Sequence, residues 1–278
     1  MNLTPHTLHF IHLKMPFTKF NQQPVFYQTQ GEGFPLVFVH GFCEDSTMWN
    51  AFIPPFAETH QVISIDLPGF GRSAVQEEAT IYHFAKAIKK VLDDLKITDC
   101  IMVGHSMGGY TTLAFAEYFP ELLSGFCLFH SHPFADTEEK KANRRKTIKF
   151  IERHGNAPFL GQMIPNLFSD NFRKENLDLV AKMIDDATAY PEKGITNALK
   201  AMINRPDRAN VLENSSVPIL LIIGKQDNAV PYDSSLKMCA LANVTDVQIL
   251  DEVGHMGMFE AKEKTQVLIR DFIEFVIT

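Results

Sequence analysis

The sequence has little with which to build a cross-linked or metal-stapled protein. It holds only 4 cysteines, Cys43, Cys100, Cys127 and Cys239, and no two form a C-x-x-C pair. A disulfide framework and a paired-cysteine zinc site are therefore not expected, and buried reduced thiols are. It also lacks any apolar run approaching ~18 residues, so no transmembrane helix is expected. The first residues, MNLTPHTLHFIHLK, carry three histidines and no continuous apolar stretch. They make a poor signal peptide, and residues 1–14 are expected to be an extension ahead of the domain. A cytoplasmic location follows as the expectation.

Positive charge is lacking too. The chain has 26 Lys and Arg against 33 Asp and Glu, a formal net charge of −7. A nucleic-acid partner usually needs a basic face, so none is expected. The densest basic run, KKANRRKTIK at 140–149, has helical spacing behind Glu138 and Glu139 and reads as a solvated helix face. There is no internal repeat and no low-complexity tract. H-E-x-x-H and EF-hand patterns are absent, and no metal or organic cofactor is implied.

What the sequence does have is alternation. Short apolar runs, PLVFVH (35–40), QVISID (61–66), DCIMVG (99–104), GFCLFH (125–130), PILLIIG (218–224) and DVQIL (246–250), read as strands. Their near-continuous apolar character fits a parallel sheet covered on both faces. FNQQPVFYQTQGEG (20–33) alternates and then turns, as an antiparallel hairpin would. Residues 81–95 place Ile81, Phe84, Ile88, Val91 and Leu92 on one helical stripe. Helices are also expected at 107–119 and 260–277. The class is α/β, with helices on both faces of the sheet.

Residues 131–217 interrupt this rhythm with no strand-like run, and Pro158, Pro165, Pro191 and Pro206 cut them into helical pieces. One crossover does not need that length. The expected division is an extension at 1–14, a core domain at 15–131 and 214–278, and a helical cap at 132–213. Two ordinary crossover helices with long loops are the alternative. Within the cap, Phe159, Leu160, Met163, Leu167 and Phe168 either line a pocket or pack the cap's own core.

The chemistry centres on IMVGHSMGGY (101–110), where a buried strand stops at a glycine. Gly104-His105-Ser106-Met107-Gly108 matches G-x-S-x-G between a strand and a helix. A sharp strand-to-helix turn exposes the serine hydroxyl in a strained conformation, and side chains two residues either side would collide. A serine needs a base, and the base an orienting acid. In such a topology the chain order is Ser, acid, His. Of the 11 histidines only His255 lies beyond His154. Asp227 follows the preceding strand, with Asp251 and Asp136 as rivals. Two N–H donors are needed for the developing oxyanion, and Met107 and Phe42 are placed to supply them. Cys43 could line the pocket beside Phe42. His130 and His132 leave a strand at the carboxyl end of the sheet, where ligands gather, and are candidate substrate contacts.

VFVHGF, DLPGFGRS, VGHSMGG, GKQDNAVP and VGHMGMFE resemble the signature blocks of the α/β-hydrolase superfamily, in that family's order, from about residue 24 onward. The resemblance implies a mostly parallel, eight-stranded-type sheet with an inserted helical cap. It is to the small capped esterases, enol-lactonases and C–C bond hydrolases. Ser106 stands where haloalkane dehalogenases and epoxide hydrolases carry aspartate, which disfavours those chemistries. Met107 stands where proline iminopeptidase-like members tend to have tryptophan, which weakens a peptidase reading. The expected activity is hydrolysis of a small ester, thioester or lactone by a monomer or homodimer with no membrane partner. A C–C hydrolase or lyase on the same residues, and a small-molecule receptor that retains them, are the alternatives.

Overall fold

A computed structural model describes residues 16–241 and 245–278. The expected extension at 1–14 lies outside the described residues. Eight strands form one sheet: β1 (Phe17–Phe20), β2 (Gln23–Gln30), β3 (Pro35–Val39), β4 (Gln61–Ile65), β5 (Cys100–His105), β6 (Leu123–Phe129), β7 (Ile219–Gly224) and β8 (Thr245–Leu250). Their order is β1-β2-β4-β3-β5-β6-β7-β8. The hairpin β1–β2 turns at Asn21 and Gln22, both at positive φ, as a two-residue turn matched to strand twist requires. β2 pairs antiparallel with β4, and every pairing from β4 through β8 is parallel.

The helices are α1 (Pro54–Ala57), α2 (Ile81–Leu95), α3 (Met107–Tyr118), α4 (Glu138–His154), α5 (Ala157–Met163), α6 (Asp170–Glu175), α7 (Leu177–Thr188), α8 (Glu192–Ile203), α9 (Ala209–Glu213), α10 (Tyr232–Cys239), α11 (Gly257–Glu260) and α12 (Lys262–Ile277). Thr80 caps the start of α2 by accepting the His83 N–H, and Lys96 ends it in the left-handed region. This explains why the apolar stripe marks 81–95 without error. α2 and α3 pack together on one face of the sheet. α12 packs on the other, where Phe272 and Val276 approach Gly125 of β6. With both faces covered, every residue of β5 and β7 is buried, hence their unbroken apolar character.

Between β6 and β7 lie α4 to α9 and no strand. These helices are bonded to the sheet portion at several points. Tyr190 donates to Asp45, Asn197 to the Gln76 carbonyl, and Lys140 to the Ala229 carbonyl. Asp136 is buried and bridges Arg144 and Arg205, at 2.6 and 2.8 Å, where the chain enters the helical segment. Among the described residues, no helix is long and apolar enough to cross a membrane.

Candidate active site

Ser106 sits between the last residue of β5 and the first of α3, at φ 51° and ψ −114°. That backbone is strained for a residue with a Cβ. Four hydrogen bonds hold it: Ser106 N–H to the Phe129 carbonyl, and Gly109 N–H, Tyr110 N–H and Ser131 Oγ to the Ser106 carbonyl. The flanking glycines are sterically required. A Cβ on Gly104 would lie 2.3 Å from Thr112 Oγ1 and 2.5 Å from the Gly108 carbonyl oxygen. One on Gly108 would lie 2.4 Å from the Val39 carbonyl oxygen at the end of β3.

Asp227 follows β7. Its Oδ1 accepts the Ala229 and Val230 N–H groups, each at 2.8 Å, which leaves Oδ2 facing His255 Nδ1 at 2.7 Å. Burial pushes the Asp227 pKa up, but the charge and hydrogen bond of His255 outweigh it and hold the carboxyl below its ordinary value. His255 lies on the loop after β8. Its N–H donates to the Leu167 carbonyl at 2.7 Å, so the inserted helices help to hold this loop. Ser106 and His255 face one cavity of about 730 Å³, within the range of small-molecule sites. The rival acids lie elsewhere. Asp251 pairs with Lys225 on the surface, and Asp136 is held by its two arginines.

Phe42 lines the same cavity. Neither its N–H nor that of Met107 has an acceptor among the described residues. Of the apolar residues singled out in the helical segment, Phe159, Met163 and Leu167 reach the cavity wall. Leu160 and Phe168 are buried away from it. α4 adds Lys140, Asn143 and Arg144 to the polar part of the wall, which Glu44, Tyr110 and Asn228 also join from other segments.

Three expected substrate contacts are placed differently. Cys43 is buried and does not line the cavity. Burial, and then the charge of Glu44, push its thiol well above the ordinary value, so it stays protonated. His130 lies beneath the site, with its ring nitrogens facing the Gly224 and Gly257 N–H groups and Nδ1 3.8 Å from Asp227. Its pKa is pushed down to about 3, chiefly by burial. His132 packs behind Tyr110, with Nε2 3.2 Å from the Tyr110 hydroxyl. It too falls to about 3, by burial and then the charge of Arg205. Both rings turn inward from the strand end, so the cavity wall does not include them.

Two carboxylates escape a sequence reading. Glu260 accepts the Ser169, Gly254 and Met256 N–H groups, tying the His255 loop to the helical insert. Glu44 sits between Gly41 and His105. Nothing in the local sequence marks either, because one partner of each, Ser169 for Glu260 and His105 for Glu44, comes from a distant segment.

A model of the family described as alpha/beta hydrolase fold matches residues 35–149. The chain is 25% identical over 241 residues to a 3-oxoadipate enol-lactonase of Acinetobacter baylyi, covering 87% of this chain and 89% of that one. It is 24% identical over 251 residues to a 2-hydroxy-6-oxononadienedioate/2-hydroxy-6-oxononatrienedioate hydrolase from a Pseudomonas species, covering 86% and 87%. Among solved structures, a thermophilic esterase from Thermogutta terrifontis superposes with a TM-score of 0.89 at 28% identity, over 95% of this chain and 98% of that one.

Proposed function

We propose, from the membership of this chain in the α/β-hydrolase superfamily, that it is a serine hydrolase that opens a small ester, thioester or lactone through an acyl-enzyme. Ser106 Oγ attacks the substrate carbonyl while His255 Nε2 takes its proton. Asp227, bonded to Nδ1, keeps Nε2 free to accept and stabilises the imidazolium. The N–H groups of Phe42 and Met107 hold the oxyanion. The tetrahedral intermediate collapses, and His255 returns the proton to the leaving oxygen or sulfur. Water then attacks the acyl-enzyme by the same route and releases the acid. No cofactor enters these steps.

The single observation that carries this reading is the cavity that Ser106 and His255 share, with Asp227 bonded to the far side of the His255 ring. The resemblance to an esterase and an enol-lactonase supports it. Residues 132–213 act as a cap that selects the substrate, a role supported by Phe159, Met163 and Leu167 on the wall facing Ser106. The relative that hydrolyses an oxononadienedioate gives the second reading, C–C bond hydrolysis on the same three residues. A serine-directed fluorophosphonate followed by a panel of aryl esters, lactones and dienoate ketones separates the two. Labelling with ester or lactone turnover supports the first. Turnover of the ketones alone supports the second. Failure to label Ser106 rejects both. For the first reading kcat/KM rises with pH as the base loses its proton, and a flat profile from about pH 5 to 8 contradicts it.

A further inference from the structure

The buried histidines around the site differ in what faces their ring nitrogens. At His40, Nε2 accepts the Leu67 N–H and Nδ1 faces the Gly41 carbonyl oxygen, both at 2.8 Å. One ring proton satisfies both contacts. At His130 both nitrogens face backbone N–H groups, one donor more than the single lone pair of a neutral ring can accept, so a doubly protonated ring is opposed there. His105 is the reverse. Its Nδ1 lies 2.9 Å from Glu44 Oε2, and its Nε2 lies 2.9 Å from the His255 carbonyl oxygen. A carbonyl oxygen has no proton to give, so Nε2 must donate. A neutral imidazole then has nothing left for the carboxylate, and two acceptors call for two ring protons.

Glu44 fits the matching anion. The same Oε2 takes the Gly41 N–H at 2.6 Å, on the short side as bonds to an ionised acceptor are. The His105 and Glu44 side chains are only 1% and 4% exposed. Burial opposes the charge on His105, but the carboxylate of Glu44 and its hydrogen bond outweigh it and raise the pKa. Burial likewise pushes Glu44 up, and the charge and bond of His105 bring it below its ordinary value.

We propose that Glu44 and His105 form a buried carboxylate–imidazolium pair that acts as a positioning clamp for the active site. The pair joins three segments distant in sequence. Glu44 fixes Gly41, the neighbour of the proposed oxyanion donor Phe42. His105 is the residue before Ser106. Its Nε2–H holds the backbone of His255, 150 positions away. The clamp rests on the reading of Ser106 and His255 as nucleophile and base, but its charge state does not.

Around His105 stand Glu44, the His255 backbone, Asp227 and the His130 ring at 6.3 Å. Of these, Glu44 and the His255 carbonyl are the two acceptors its ring nitrogens meet.

Two measurements on the full chain test this. In ¹⁵N-histidine NMR at pH 8, the wild-type His105 ring is expected to carry protons on both nitrogens, and in Glu44→Gln on one. In a kcat/KM profile on an aryl ester, Glu44→Gln is expected to lower kcat by about tenfold or more with KM within about twofold. Glu44→Asp, which keeps the charge, restores the doubly protonated ring and part of the rate. A singly protonated His105 in the wild type overturns the proposal, whether or not any variant folds. So does a Glu44→Gln profile that superimposes on the wild type. If a fluorophosphonate fails to label Ser106, the hydrolase reading falls while the NMR result still reports on the pair.

Discussion

Replacing Gly108 by alanine is a sharp test of how the Ser106 turn is built. The added Cβ would sit 2.4 Å from the Val39 carbonyl oxygen and 2.6 Å from that of His40, where ordinary contact begins near 3.4 Å. Both obstacles are backbone, so no side chain can rotate away. About an ångström must open between α3 and the end of β3. Overpacking of this kind costs about 1–3 kcal/mol. The displaced strand end carries His40, Gly41 and Phe42, so the proposed oxyanion donor moves relative to Ser106. A misplacement of about an ångström lowers a rate by about 10²-fold. Gly161→Ala is the internal control. It lies in α5 with nothing within 4 Å of its added Cβ, and it is exposed. There alanine is expected to stabilise by about 0.5–1 kcal/mol through helix propensity and to leave the rate unchanged. Urea-unfolding midpoints and kcat/KM on a p-nitrophenyl ester measure both variants. If Gly108→Ala matches the wild type in midpoint and rate, or behaves like Gly161→Ala, the steric account of the turn is wrong.

Three further outcomes are expected. Asp227→Asn lowers kcat by about 10³–10⁴-fold, because His255 loses the partner that fixes its tautomer, and a loss under tenfold in steady-state kinetics assigns the role elsewhere. Asp136→Ala destabilises by about 3–5 kcal/mol, since it strands Arg144 and Arg205 beside an empty site, and an unchanged urea midpoint contradicts that. His130 and His132 have folded pKa values of about 3 against an ordinary 6.5. Between those values the unfolded chain binds protons that the folded chain does not, so stability is complete above pH 6.5 and is lost as pH falls. Each contributes a slope of at most about 1.4 kcal/mol per pH unit. His132→Phe therefore reduces the stability lost between pH 6.5 and 5 in urea titrations, and an identical slope in variant and wild type refutes the burial argument.

The strands and the helix over Ile81–Leu95 are legible because their signals are local. Apolar runs covered on both faces read as parallel strands, and a capped stripe reads as a helix. Gly104 is legible for the same reason, since the clash it avoids lies just ahead in α3, whereas the clash that Gly108 avoids is with Val39 and His40 at the end of β3 and only the fold brings it about. His130 and His132 show where such reading stops. Their place at the end of β6 follows from the sequence, but the direction of their rings does not. His130 takes φ 49°, and its ring turns under Asp227 rather than into the cavity. Glu44 and Glu260 are invisible for a different reason. Glu44 meets His105 across 61 positions and Glu260 meets Ser169 across 91. No periodicity or spacing encodes such meetings, and only the folded topology brings them about. The polar wall from Lys140 to Arg144 is a halfway case. Its helical spacing is readable, but its face toward the cavity rather than toward solvent alone is set by packing.

The central claim is that Ser106 forms a covalent acyl-enzyme with His255 as its base. Intact-protein and peptide mass spectrometry after mixing the full chain with an activated aryl ester tests it most directly. The expected result is one acyl group on the peptide carrying Ser106, none in Ser106→Ala, and kcat lower by about 10⁴-fold or more in that variant. Acylation at another residue, or turnover that survives Ser106→Ala, contradicts it.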